Sequence, residues 1–259
     1  MIGVFGGSGF YSLLENPAVK EMETPYGKPS SKVTIGKIGN HDVAFIARHG
    51  ERHQYPPHAI PYKANVWAFK ELGVTRIIAP SAVGSLKKEI KPGEFLVPDQ
   101  FVNFTRRDDT FYHDQTVHIA SHEPYCPDMR KLLIESGKSM GLSIHENGTV
   151  VVINGPRFAS HAESVMYRQL GFDIINMTQY PECILAREQE ICYANISIVT
   201  DYDTGVKDDP AVRPVSIEEV LRVFKANNEK IKQLIFNLVP KIAKERNCIC
   251  ATALSGARL

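Results

Sequence analysis

Acidic side chains follow the run Cys192 to Thr200, whose apolar, β-branched composition predicts a buried strand. Asp201 and Asp203 come at its end, and alternation along a strand would point both carboxylates the same way. Paired carboxylates can hold a protonated group, accept hydrogen bonds from an amine, or act as the acid and nucleophile of a glycosidase. The alternative interpretation is a solvated acidic loop, extended by Asp208 and Asp209.

A second set of residues has the chemistry of an anion site. Arg48 and His49 follow a predicted strand. Arg48 offers a planar guanidinium that fits phosphate, and His49 offers an imidazole, a group that titrates near neutral pH in its unperturbed state. Gly6-Gly7-Ser8-Gly9 and the segment 81–85 are small-residue turns after strands, where backbone N–H groups and hydroxyls can cradle an anion. Neither the dinucleotide G-x-G-x-x-G pattern nor the P-loop pattern is complete. Each cluster alone could be an ordinary polar turn.

Strand and helix patterns alternate along the chain and would bring these residues together. Strands are predicted at 2–5, 33–38, 43–47, 76–80, 149–153, 173–175 and 192–200, and helices at 61–72, 127–140, 160–170, 182–190 and from the Ser216/Glu219 capping box to Pro240. This alternation indicates an α/β fold, and the absence of linkers or repeats favours a single domain over residues 1–259. Ligands in open α/β sheets bind beyond the carboxyl ends of strands, so we expect one pocket.

Composition limits the possible partners. Lys and Arg total 30 against 29 Asp and Glu, a net charge of +1, which gives no basis for nucleic-acid binding. No apolar run approaches the length of a membrane span, and the N-terminal residues do not resemble a secretory signal. We therefore expect a cytoplasmic protein without membrane partners.

Motifs in a fixed order along nearly the whole chain resemble one known family. They are IGVFGGSGFY at 2–11, ARHG at 47–50, AVGSL at 82–86, NGPRFASHAES at 154–164, INMTQYPE at 175–182 and TDYD at 200–203. The ordered set resembles the 5′-methylthioadenosine phosphorylases, of the trimeric purine nucleoside phosphorylase family. The resemblance implies a central mixed β-sheet flanked by helices, and a homotrimer or a dimer of trimers.

The implied reaction is a phosphorolysis in purine and methionine salvage. Phosphate attacks C1′ of 5′-methylthioadenosine and releases adenine and 5-methylthioribose 1-phosphate. Inorganic phosphate is then a co-substrate, and no metal or organic cofactor is expected.

The resemblance also carries roles onto individual residues. The phosphate-binding positions are Ser8, Arg48, His49, Ser81, the backbone at Ala82, and Thr178. The positions around the nucleoside are Met177 at the ribose, Asp201 and Asp203 at the purine, and the apolar wall of Phe158, Val220 and Leu221. His118 matches a residue contributed across the trimer interface. We expect Asp201 to protonate purine N7 and Asp203 to accept from the exocyclic amine, although either carboxyl could take either role.

Other functions remain open alternatives. A 6-oxopurine nucleoside phosphorylase, acting on inosine, guanosine or methylthioinosine, would more often use Asn where this chain has Asp, because an ionised carboxylate cannot donate to a 6-oxo group. A non-catalytic nucleoside-binding protein would need a degraded anion site, and these residues are intact. We expect Arg48→Ala to weaken phosphate binding with little loss of folding.

The five cysteines allow two interpretations. Five reduced thiols are favoured, because cytosolic disulfides are rare outside hyperthermophiles. By resemblance, however, Cys126 and Cys192 match positions that are bridged in heat-adapted relatives, and Cys248-Ile249-Cys250 is a C-x-C pair. Cys183 is the fifth. Zinc is disfavoured, because the C-x-C pair lacks a second ligand pair in sequence.

Overall fold

One large mixed β-sheet organises the protein. The computed structural model describes residues 1–6, 14–204 and 215–259. Eleven strands lie in these ranges: β1 (Ile2–Gly6), β2 (Glu15–Lys20), β3 (Val33–Ile38), β4 (His41–Ala47), β5 (Arg76–Ser85), β6 (Phe95–Leu96), β7 (Gln100–Phe104), β8 (Ile144–His145), β9 (Thr149–Ile153), β10 (Ile174–Asn176) and β11 (Cys192–Asp201). Strands β1, β4, β5 and β11 pair in parallel at the centre, whereas β2–β3, β3–β4 and β5–β10 pair antiparallel. The predicted α/β fold with a central mixed sheet is confirmed.

Five helices lie in the described ranges and flank this sheet: α1 (Tyr62–Glu71), α2 (Pro127–Ser139), α3 (His161–Gln169), α4 (Gln179–Glu188) and α5 (Ile217–Leu238). Helices α1 and α4 contribute to one core, which also holds Ile77 of β5, and α2 and α5 contribute to another, which holds Ile78. Because neighbouring residues of β5 enter different cores, its sequence is continuously apolar at this point rather than alternating. No helix in the described part of the chain has the length and apolar character needed to cross a bilayer.

Helix ends follow the local signals in the sequence. The Ser160 hydroxyl caps α3 by accepting from the Glu163 N–H, and the Glu163 carboxylate accepts from the Ser160 N–H in return. Ser216 caps α5 by accepting from the Glu219 N–H, as predicted. The Glu219 carboxylate also pairs with Arg222 one turn later.

The prediction that residues 81–85 form a loop is wrong, because β5 continues through them to Ser85. Its pairing with β11 runs from Arg76 to Gly84, so the ladder carries the small residues into the sheet. On the opposite edge of β5, β1 pairs with residues 76–78 and β10 with residues 84–85. Residues 79–83 thus line a split between β1 and β10 in the described sheet, and such a change of strand order is where α/β folds bind ligands.

Candidate active site

A cavity of about 440 Å³ lies at this split. Its walls include nearly all the described residues that the sequence analysis assigned to a site: Arg48, His49, Ser81, Ala82, Phe158, Met177, Thr178, Asp201, Asp203, Val220 and Leu221. The predicted convergence on one pocket therefore holds for these positions. Ser8 and its glycine turn from Gly7 onward lie outside the described residues.

Among the predicted site residues that the structure describes, His118 is the one that does not line the cavity of its own chain. Its side chain is exposed, and its backbone N–H donates to the Ala257 carbonyl at 2.7 Å.

Arg48 reaches the cavity from the end of β4 and is held in place by buried partners. Its Nε and Nη2 donate to the Glu182 carboxylate at 2.5 and 3.0 Å, and its Nη1 donates to the Pro80 carbonyl at 2.9 Å. Glu182 also accepts from the Tyr193 hydroxyl at 2.8 Å. A guanidinium has five N–H donors, so two remain for a ligand in the cavity. Sequence reasoning missed Glu182, although a carboxylate in an otherwise apolar helix face is a signal that a buried cation lies nearby.

Asn176 joins the start of α4 to the open edge of β5. Its Oδ1 accepts from the backbone N–H groups of Thr178 and Gln179 at 2.7 and 2.8 Å, and its Nδ2 donates to the Ala82 carbonyl at 2.9 Å. This buried amide therefore determines the relative placement of Ala82 and Thr178, two expected phosphate contacts.

His49 is neutral in this environment. Burial lowers its pKa to about 4. Its Nδ1 lies 2.9 Å from the Tyr55 carbonyl, and its ring stacks on His53 with centroids 4.9 Å apart. Since a carbonyl only accepts, Nδ1 carries the hydrogen and Nε2 presents a lone pair. His49 therefore accepts from a ligand through Nε2, and it could donate there only after taking up a proton.

Asp201 and Asp203 both line the cavity, but not for the predicted reason. Strand β11 ends at Asp201, and Asp203 lies beyond it with a left-handed φ of 50°, so strand alternation does not relate the two side chains. Asp201 accepts through Oδ1 from the Asp203 N–H at 2.8 Å and through Oδ2 from the Thr200 hydroxyl at 2.7 Å. Both carboxylates line the cavity because the chain turns at Asp203, where the backbone N–H comes close enough to donate to Asp201.

The two carboxyls differ in their remaining hydrogen-bonding capacity. Burial raises the pKa of Asp201 to about 6, and burial also raises the pKa of Asp203. Asp203 is 2% exposed, and its Oδ2 has no hydrogen-bond partner among the described residues. Oδ2 is buried rather than open to the cavity, and the nearby Ser164 hydroxyl lowers the pKa of this carboxyl, so Asp203 meets a ligand only through the atoms that line the cavity wall.

An apolar wall completes the cavity. Phe158 comes from the segment before α3, and α5 contributes Val220 and Leu221 together with Phe224 and Ile217, two residues that sequence reasoning missed. Phe158, Ile217 and Leu221 are exposed large apolar side chains. Apolar side chains that line a cavity beside polar groups can pack against a flat base or a thioether.

Four cysteines form a cluster that does not line this cavity. The sulfur atoms of Cys126, Cys192, Cys248 and Cys250 all lie within 4.8 Å of one another and are buried, whereas Cys183 is a separate buried thiol. The sequence argument against zinc assumed that the C-x-C pair lacks a second pair, and that premise is wrong, since Cys126 and Cys192 supply one.

Comparison with known proteins agrees with this geometry. The family model of the Phosphorylase superfamily matches residues 1–240. The S-methyl-5′-thioadenosine phosphorylase of Pyrococcus abyssi is 51% identical over 255 residues, covering 98% of this chain and 97% of the relative. The 6-oxopurine nucleoside phosphorylase of Pyrococcus furiosus is 46% identical over 266 residues, covering 99% and 98%.

A solved structure has the same fold. Methylthioadenosine phosphorylase from Schistosoma mansoni in complex with adenine superposes with a TM-score of 0.92 at 33% identity, covering 99% of this chain and 98% of that one. Sequence and structure agree over nearly the full length, and the chain therefore belongs to the Phosphorylase superfamily and, within it, to the 5′-methylthioadenosine phosphorylase family.

Proposed function

We propose that this protein cleaves 5′-methylthioadenosine by phosphorolysis, yielding adenine and 5-methylthioribose 1-phosphate. The observation that carries the proposal is one cavity that combines anion-binding groups with a buried carboxyl pair. Ser81 pairs with Ser197 of β11 and Gly84 pairs with Asp201. The two groups of residues thus lie three residues apart along β5, roughly 10 Å at the usual strand rise. That separation suits a nucleoside lying between a phosphate and a base site.

The anion-binding end positions the nucleophile. Arg48 supplies two free N–H donors, and Ser81, Ala82 and Thr178 line the same cavity. Hydrogen bonds from a charged guanidinium to phosphate are about twice as strong as neutral ones. Neutral His49 offers its Nε2 lone pair to a phosphate hydroxyl. Holding the nucleophile below C1′ can by itself supply roughly 7–11 kcal/mol of the barrier reduction.

The carboxyl end handles the leaving base. Bond cleavage develops positive charge at C1′ and negative charge on the purine, so N7 needs a proton or a strong hydrogen bond. Asp201, with its pKa raised to about 6, can hold that proton close to neutral pH. Asp203, the second carboxyl of the cavity wall, accepts from the 6-amino group. We propose no metal or organic cofactor, so dialysis against EDTA should leave the rate unchanged.

A phosphate-dependence assay tests this function directly. Purified enzyme with 5′-methylthioadenosine should release adenine in phosphate buffer and form one 5-methylthioribose 1-phosphate per adenine. In phosphate-free buffer the release should fall to background. Equal rates in both buffers would identify a hydrolase and refute the proposal.

A 6-oxopurine nucleoside phosphorylase is the second candidate. It is supported by the 46% identity to the Pyrococcus furiosus enzyme of that name and by the raised pKa values of both carboxyls, since a protonated carboxyl can donate to a 6-oxo group. Comparing inosine and methylthioinosine with methylthioadenosine under the same conditions separates the two functions.

We also propose that the enzyme is a homotrimer or a dimer of trimers. Support comes from His118, whose exposed position away from its own cavity fits a contribution to a neighbouring subunit. Sizing with light scattering should give three or six times the 28.9 kDa chain mass. A fully active monomer would contradict this assembly.

A further inference from the structure

A line of buried polar side chains runs behind Ser81, away from the cavity. Asn195 and Ser197 lie on β11, Gln179 begins α4, and Tyr125 precedes α2. Gln179, Asn195 and Ser197 are 0% exposed and Tyr125 is 2% exposed. None of these four lines the cavity, whereas Ser81 does. Burying a polar group in an apolar core costs free energy unless the group is hydrogen-bonded. Each donor in this line should therefore have an acceptor.

Each member of the line donates to the next one toward the cavity. The Tyr125 hydroxyl donates to Gln179 Oε1 at 2.7 Å, and Gln179 Nε2 donates to the Ser197 hydroxyl oxygen at 3.1 Å. Ser197 donates to Asn195 Oδ1 at 2.8 Å, and Asn195 Nδ2 donates to the Ser81 oxygen at 3.0 Å. Burial raises the pKa of Tyr125 well above its usual value, so its hydroxyl keeps the hydrogen that begins the sequence.

The hydrogen count determines what Ser81 can do for a ligand. Its oxygen accepts from Asn195 Nδ2, and Gln179 Nε2 lies 3.4 Å away as a further donor. A hydroxyl has one hydrogen to give. The inward acceptor within reach is Asn195 Oδ1, at 3.3 Å, and that oxygen already accepts from Ser197 at the shorter distance of 2.8 Å. The Ser81 bond is the longer of the two that Asn195 Oδ1 accepts, so a negatively charged ligand in the cavity can compete for the Ser81 hydrogen.

We propose that Tyr125, Gln179, Ser197 and Asn195 are positioning residues that orient Ser81 as a hydrogen-bond donor to the phosphate co-substrate. The inference rests on the proposed phosphorolysis, and it concerns phosphate binding rather than the base. If the proposal is right, removing a hydrogen-bonding group from this line weakens phosphate binding and leaves nucleoside binding unchanged. The same substitution has no further effect in a protein that already lacks the Ser81 hydroxyl.

Steady-state kinetics on single and double variants test this proposal. Ser81→Ala should raise KM for phosphate by roughly tenfold or more, the usual effect of losing a hydrogen bond to a charged group. Gln179→Met and Tyr125→Phe should each raise KM for phosphate several-fold, with KM for methylthioadenosine within a factor of two of the parent. Ser136→Ala, a buried hydroxyl on α2, and Tyr112→Phe, whose hydroxyl donates to a backbone carbonyl, are matched controls that should leave both constants unchanged.

A double-mutant cycle distinguishes positioning from general loosening of the core. In the Ser81→Ala background, adding Gln179→Met or Tyr125→Phe should change KM for phosphate by less than twofold, because the residue they act through is absent. Effects that multiply in the double variants, or a KM for phosphate unchanged in both single variants, would overturn the proposal. If Gln179→Met lowers the melting temperature, Tyr125→Phe provides the test instead, because this variant keeps the aromatic ring and removes only the hydroxyl. If the parent enzyme shows no phosphate dependence, the proposed function fails instead, before any variant is compared.

Discussion

Glu182 and Arg48 form a buried, bidentate ion pair, in which Arg48 Nε and Nη2 lie 2.5 and 3.0 Å from the two carboxylate oxygens. Glu182 is 0% exposed and is not part of the cavity wall, whereas Arg48 is 6% exposed and lines the cavity. The guanidinium therefore has two roles, since it neutralises a core carboxylate and presents its remaining donors to the ligand. Removing either partner leaves the other as an unpaired charge in a dry environment.

This pair changes the expected outcome of Arg48→Ala. The sequence alone suggests little loss of folding, but the variant leaves Glu182 buried without its cation, and breaking such a pair typically destabilises a protein by about 3–5 kcal/mol. We therefore expect a lower urea midpoint as well as weaker phosphate binding. The double variant Arg48→Met with Glu182→Met should recover much of the stability while phosphate binding stays lost. An Arg48→Ala enzyme as stable as the parent would contradict the energetic role of the pair.

Base selectivity should depend on the Asp203 carboxyl, which lines the cavity. An ionised carboxylate accepts from a 6-amino group but meets a 6-oxo group with lone pair against lone pair. We expect kcat/KM for methylthioadenosine to exceed that for methylthioinosine by at least roughly tenfold, the scale of one mismatched buried hydrogen bond. Asp203→Asn should narrow or reverse the ratio, because an amide can donate.

A substrate panel on three enzymes checks this prediction. Asp42→Asn, at an exposed carboxylate on β4, is the control and should keep the parent ratio. If the parent cleaves both substrates equally well at neutral pH, the 6-oxopurine function takes the place of the one proposed.

The pH dependence of turnover should identify Asp201. Its pKa is raised to about 6 by burial, so the protonated form that can donate to N7 is present below that pH and is lost as the pH rises through it. At saturating phosphate, kcat/KM for the nucleoside should fall with increasing pH along a limb centred near 6. Asp201→Asn should flatten this limb, and Asp201→Ala should depress turnover on every purine.

Asp203→Asn serves as the comparison, since it should alter the preference for 6-amino over 6-oxo purines but keep the fall of kcat/KM with increasing pH. A limb that persists unchanged in Asp201→Asn would assign the titration to another group. The phosphate itself titrates near neutral pH, so the experiment depends on this difference between variants rather than on the parent profile.

Local patterns in the sequence were sufficient for much of the fold. Predicted strand 149–153 coincides with β9, and helix 127–140 is α2 with its cap at Met140. These elements form where apolar periodicity and end signals agree over a few residues. Strand β7, by contrast, is partly to largely exposed and has no such alternation, so its pairing with β9 was not predicted.

The sequence indicated most of the described residues that line the cavity, but not the contacts that hold them there. Asp201 was indicated by its place at the end of a buried strand, and Thr178 by the family resemblance. Arg48 and Glu182 are 134 residues apart, and the continuation of β5 past Pro80 depends on pairing with β11 more than 100 residues later. Such contacts are determined by the tertiary fold, and no short-range pattern encodes them.

The cysteine cluster gives the last prediction. Cys192 and Cys248 have sulfurs 3.3 Å apart, and Cys126 and Cys250 complete the group. Hydrogen bonds from the Cys126 and Cys192 thiols lower the pKa of Cys250, and the Arg187 guanidinium adds to this effect. The four sulfurs lie close enough to pair once an oxidant reaches this buried cluster, and Cys250 should react first, because a thiol of lowered pKa forms the reactive thiolate most readily.

We expect prolonged incubation with diamide to join these four sulfurs as two disulfides, each thiol pair giving its two hydrogens and two electrons to the reagent. Mass spectrometry after alkylation in denaturant without reductant should count five thiols before oxidation and one, Cys183, afterwards; Cys183→Ser should then show none. The oxidised protein should melt roughly 5–10 °C higher, since each cross-link restricts the unfolded chain, and reductant should reverse the shift. Five alkylatable thiols after oxidation would show that the four sulfurs cannot pair.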